Sequence, residues 1–163
     1  MIKQTSNFSE GAEVQWLTGK TLFTRIAAGK LTGFLIGAVG FFVMPYLWPD
    51  SSPAIRWGIL CWYTTLGAFI AMFGLMTWHP VLKISMPWWF RGIFLGAWMN
   101  FLLVLFAYQQ LEAMLAIWPG NGGIFQSPLW FIVEGAIIGL VIDYAATKLV
   151  GEGSKLTISS KPS

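Results

Sequence analysis

The chain has 163 residues, 56% of them hydrophobic and only 10% charged, with ten tryptophans and a mean hydropathy of +0.64. Soluble domains carry about a quarter charged residues, so this composition excludes an ordinary water-soluble globule and points to an all-α membrane protein. The net charge of +3 and pI of 9.2 do not indicate a nucleic-acid partner, because Lys and Arg sit at helix ends and not among aromatics on a soluble face.

An apolar helix of about 20 residues crosses a bilayer core of about 30 Å, and four such runs can be marked, at about 30–48, 57–78, 89–111 and 129–150. They divide the chain into an N-terminal cytoplasmic or interfacial segment 1–28, a transmembrane domain 29–150 of two helical hairpins, and a flexible cytoplasmic tail 151–163. Lys3, Lys20, Arg25 and Lys30 come before or at the start of the first run, Lys83 and Arg91 flank the second connection, and Lys148, Lys155 and Lys161 close the chain. Only Arg56 falls on the other side. By the positive-inside rule both termini and the middle connection are expected in the cytoplasm, with a bacterial inner membrane as the expected location.

Residues 13–28 mix Val14, Trp16, Leu17 and Phe23 with Lys20 and Arg25, which suits either a short helix lying among headgroups or an irregular lead-in. The first run has no short basic start and no small-residue cleavage site, so it is expected to stay as a helix. Its Gly29, Gly33 and Gly37 recur at four-residue spacing, which lets another backbone approach closely. PDSSPAIR reads as a tight outer turn. The second run carries Gly67, Ala71 and Gly74, with hydroxyls on Tyr63, Thr64 and Thr65 that can bond back to their own helix. Cys61, the only cysteine, excludes an intrachain disulfide and reads as a small packing residue. The single histidine, His79, lies beside Pro80 without acidic or Cys neighbours and suits a headgroup contact better than a metal site.

The third run places Gly92, Gly96 and Asn100 on one face; the Asn100 amide, near mid-membrane, needs a partner across a helix interface. Its apolar pattern continues to Trp118, so a tilted or overlong helix is expected. The following PGNGG lacks the spacing of a phosphate loop. In the fourth run Gly135, Gly139 and Asp143 share a face, whereas Glu134 comes out on about the opposite side, at roughly 100° per residue. Most tryptophans mark the span edges; Trp62 and Trp98 fall well inside and read as core fillers or oligomer contacts.

GFLIGAVGFFV (33–43) aligns with GIFLGAWMNFL (92–102) through G-x-x-x-G-A, and each hairpin has a Trp-Pro turn followed by Ser-Pro. A parallel repeat of the two hairpins is one explanation, convergence on Gly-rich spans the other.

An ionisable group within a span needs a partner, protein interior or water. For Asp143 the candidates are Arg91 and then Lys30; for Glu134 they are Arg56, Gln109 and Gln110. These groups read either as helix fasteners or as a proton or cation site formed by Glu134 or Asp143 with Asn100. No catalytic constellation, metal-ligand cluster or cofactor motif is present in the sequence. The expected function is therefore a non-enzymatic membrane protein that packs through its Gly faces into a homo-oligomer or onto other membrane subunits, as an accessory or assembly subunit. The alternative is a small proton- or cation-coupled transporter or channel using Glu134 and Asp143.

Overall fold

The computed structural model describes residues 6–74, 76, 85–116 and 127–151, with side chains from residue 23 onward. It contains α1 (Ser6–Leu47), α2 (Pro53–Phe73), α3 (Trp88–Ala116) and α4 (Trp130–Val150), and no strand among the described residues. Each helix includes a stretch long and apolar enough to cross a membrane: Phe23–Leu47, Pro53–Phe73, Trp88–Ala116 and Trp130–Val150. Phe42, Phe106 and Leu149 are among many large apolar side chains left on the outside, which suits lipid as the surrounding solvent. The chain is a multi-pass integral membrane protein.

The 42 residues of α1 extend roughly 63 Å, twice the thickness of a bilayer core. The lead-in, expected as a separate interfacial helix or an irregular segment, instead continues the same helix, with no break at residues 28–29. Extending an existing helix costs far less than nucleating a new one. The second helix starts within the expected outer turn, because Ser52 caps it by accepting from the Ile55 N–H at 3.4 Å and Pro53 supplies a preformed first turn. It ends at Phe73, short of the expected 78.

In α3 the helical dihedrals fail at Ala107, with φ −119° and ψ 24°. The part before this break is about 19 residues, or roughly 28 Å, close to a hydrocarbon core. A break, and not straight overextension, thus absorbs the long apolar pattern. Beyond it Gln109, Gln110 and Glu112 are exposed while Leu111, Met114 and Leu115 are half-buried, a one-sided pattern suited to the membrane boundary.

The helices pack as two close hairpins, α1 with α2 and α3 with α4; α4 also lies along α1, and α2 makes lesser contacts with α3 and α4. Glycines close each hairpin. A Cβ at Gly33 would overlap the Tyr63 carbonyl oxygen and come within 3.1 Å of the Gly67 Cα. A Cβ at Gly96 would overlap the Gly135 carbonyl oxygen and come within 2.9 Å of the Gly139 Cα. Gly29 and Gly37 on α1, and Gly92 on α3, meet the facing helix in the same way. Such backbone contact replaces the hydrophobic drive that lipid cannot provide. In these contacts Gly92 takes the place of Gly29, with Gly139 standing for Gly67, so the hairpins correspond one helical turn away from the G-x-x-x-G-A alignment.

Two expectations change. The glycine faces are buried inside the hairpins, so they are spent within the chain and do not present a surface to another protein. Cys61 is exposed on the outside of α2 and is not a packing residue. The seam between hairpins is filled by Leu66 and Ile70 of α2 and Ile142 of α4, all fully buried, with Ile36, Leu95, Met99 and Ile138 around them. The connection carrying His79 and Lys83, the PGNGG segment and the tail lie outside the described residues.

Gly96→Val should lower the thermal midpoint in mild detergent, at a cost of about 1–3 kcal/mol or more, because the added carbons meet backbone that cannot yield. At Gly58 a Cβ meets nothing within 4 Å, and Gly58→Ala, inside α2, should leave stability unchanged or raise it by up to about 1 kcal/mol.

Candidate functional site

Two polar clusters cross the seam between the hairpins. The first lies at the end of the bundle where α2 and α4 finish. Asp143 is fully buried and accepts hydrogen bonds from Arg25 Nη2 at 2.6 Å, Arg91 Nε at 2.9 Å, Arg91 Nη2 at 3.3 Å and Thr147 Oγ1 at 3.4 Å. Arg25 also donates to the Ala71 carbonyl at 3.2 Å, to Thr147 Oγ1 at 3.1 Å and to the Gly151 carbonyl. Both arginines are only 1% exposed. One guanidinium comes from α1, one from α3 and the carboxylate from α4, so a single group joins three helices.

Among the described residues two guanidinium groups meet one carboxylate, and Arg25 also meets the ends of two helices. Ala71 lies in the last turn of α2, and Gly151 directly follows α4. Each helix C-terminus carries about half a negative charge, so both carbonyls that Arg25 bonds favour its cation. Taking charges out of water this completely is tolerable only when their hydrogen bonds are filled, as they are around Asp143. Gly74 belongs to the same arrangement, since a side chain there would overlap the Arg25 guanidinium.

The second cluster sits nine residues back along α4, roughly 13 Å away. Tyr63 Oη donates to Glu134 Oε1 at 3.0 Å, Trp62 Nε1 donates to Asn100 Oδ1 at 3.0 Å, and Asn100 Nδ2 donates to the Phe131 carbonyl at 2.8 Å. Consecutive residues of α2 thereby reach α3 and α4. Asn100 is fully buried, whereas Glu134 is partly exposed. Among the described residues Glu134 takes part in no ion pair.

Several expected partners are replaced. Asp143 does pair with Arg91, but its second cation is Arg25 of the lead-in and not Lys30, which is exposed. Glu134 takes the Tyr63 hydroxyl, not Arg56, Gln109 or Gln110. The two glutamines lie beyond the break in α3, and Arg56 is about two turns before Tyr63, near the start of α2. Arg56 Nε is buried with no hydrogen-bond partner, so this residue stands apart from both clusters. Of the three hydroxyls on α2, Thr64 bonds back to the Leu60 carbonyl at 2.6 Å, but Tyr63 crosses to α4. Trp62 is a hydrogen-bond donor and not mere filling.

A signal for Arg25 and Tyr63 was present. Each lies four residues before a packing glycine, Gly29 and Gly67, just as Asn100 and Asp143 lie four residues after Gly96 and Gly139. Every small-residue stripe therefore ends in a polar side chain on the same face. Chemically, the first cluster is an ionic fastening with its carboxylate saturated, and the second is a carboxyl group held by one hydroxyl. Among the described residues no three His, Cys, Asp or Glu side chains come together as metal ligands would.

Comparison with known proteins finds no matching family model, curated protein or solved structure. Asp143→Asn should cost about 3–5 kcal/mol of stability, because it leaves two buried guanidinium groups without their carboxylate. Lys30→Ala, at an exposed position, should change the thermal midpoint in detergent very little.

Proposed function

We propose that the chain is a non-enzymatic accessory or assembly subunit, inserted with both termini and residues 77–84 in the cytoplasm and packed against another transmembrane helix. The orientation follows from the basic residues near the ends of the spans, including the exposed Lys30 and Lys148. With the glycine faces occupied, the contact is assigned to the outward side of α3. There Phe90, Phe94 and Trp98 form a ladder of parallel rings, with centroids 6.2 and 6.5 Å apart and interplanar angles of 13° and 11°.

The ladder lies about 200° round the helix from Gly92 and Gly96, away from α4. Trp98, 51% exposed, is the observation that carries this reading. It sits roughly 15 Å along α3 from Trp88, at mid-depth, where a lipid-facing tryptophan is out of place because its N–H prefers the headgroup level. A rigid aromatic face at that depth suits a second helix, from another subunit or from a second copy of this chain.

A second reading rests on Glu134, an acid within a span that forms no ion pair among the described residues. It makes the protein a small proton- or cation-coupled transporter or channel, with Asp143 acting only as a fastener.

The two readings separate experimentally. Purification in mild detergent should yield a stoichiometric partner or homo-oligomer that is reduced several-fold by Phe94→Ala with Trp98→Ala, while liposomes show no flux. Proton- or cation-dependent flux lost in Glu134→Gln, with a monomeric protein, would reject the accessory role and support transport.

A further inference from the structure

We infer that Glu134, with Tyr63 and Asn100, forms a proton-binding site on the seam between the two hairpins, occupied when the hairpins are closed. The inference deepens the second reading, on which it rests for the choice of site, by naming the ion and by removing Asp143 from it.

The two acids of α4 differ in every respect that matters for exchanging a proton. Asp143 is enclosed by two guanidinium groups and a hydroxyl, so its charge is matched and its oxygens are occupied. Glu134 meets one neutral donor, Tyr63 Oη, at 3.0 Å. A carboxylate in a span with no cation beside it is costly, and taking up a proton is the way such a group is neutralised without a counter-ion.

Among the described residues nothing around Glu134 competes. From α2 the only titratable group facing Glu134 is Tyr63, since Arg56 is about two turns away. From α3 the polar group at this level is Asn100, which is uncharged and itself held between Trp62 and the Phe131 carbonyl. Along α4 the nearest charges are those around Asp143, roughly 13 Å off. At this level α1 contributes Ile36 and Gly37 to the packing and no charge. Among the described residues a single bound proton therefore sets the charge at this level.

Position adds a consequence. Glu134 is four residues into α4, about 6 Å below its start, and partly exposed, so a proton has a short path from the membrane surface opposite the chain termini. The Tyr63 to Glu134 hydrogen bond joins hairpin one to hairpin two. Loss of the proton puts an unmatched charge on the seam, draws water to it and loosens the α2 to α4 contact; rebinding closes it.

The test is labelling of the full-length protein in liposomes with dicyclohexylcarbodiimide, an apolar reagent that attacks protonated carboxyl groups, followed by site mapping by mass spectrometry. Glu134 should be modified, at least tenfold more than Asp143, with labelling that declines as pH rises and disappears in Glu134→Gln. Tyr63→Phe, which keeps the ring, should retain the labelling and shift its pH profile. Failure of Glu134 to label at any pH, labelling of Asp143 to the same extent, or an unchanged profile in Tyr63→Phe would overturn the inference. Flux measured on the same liposomes is a separate readout: its absence alongside Glu134 labelling fails the transport reading and leaves the proton site established.

Discussion

The fold depends on one buried carboxylate held between two guanidinium groups. Arg25 of α1 and Arg91 of α3 both close on Asp143 of α4, in a place where neither charge nor carboxylate meets solvent. Coulomb attraction strengthens as the local dielectric falls, but so does the penalty for any charge left unmatched. The C-terminal carbonyls of α2 and α4 also accept from Arg25, which makes the position of two helix ends part of the same electrostatic unit.

Two kinds of contact divide the construction between them. Within each hairpin, glycine brings backbone against backbone, a contact with short reach and no tolerance for added atoms. Between hairpins an apolar layer around Leu66, Ile70 and Ile142 is accompanied by a few directional polar bonds: Arg25 to Asp143 at one end, and Trp62 to Asn100 and Tyr63 to Glu134 further along. Densely packed units joined by a few directional bonds move most readily at the joint, so the seam is where the molecule has freedom. Among the described residues Glu134 is a carboxyl on that seam that forms no ion pair.

Much of the architecture was readable because lipid as a solvent imposes length and apolarity on each helix. The four spans, the small-residue faces and the pairing of Asp143 with Arg91 all follow from spacing. What escaped the reading has physical causes. Arg25 stands in a lead-in that mixes apolar and basic residues and so suits a headgroup contact, yet its four-residue step to Gly29 turns it into the helix interface. The Tyr63 bond to Glu134 depends on how α2 and α4 lie across the seam, a relation between hairpins that no local pattern encodes. The break at Ala107 has no proline or glycine at the site, and its sequence sign is only the change to Tyr108, Gln109 and Gln110 at about the length where the bilayer ends.

The most direct measurement divides the chain within residues 77–84 and expresses the two hairpins as separate polypeptides in one cell. If Asp143 is what holds the hairpins together, the wild-type halves copurify in mild detergent, and Asp143→Asn in the second half abolishes copurification while both halves remain in the membrane. Copurification that survives Asp143→Asn undiminished would contradict this, and would place the joining force in the apolar contacts around Leu66, Ile70 and Ile142 instead.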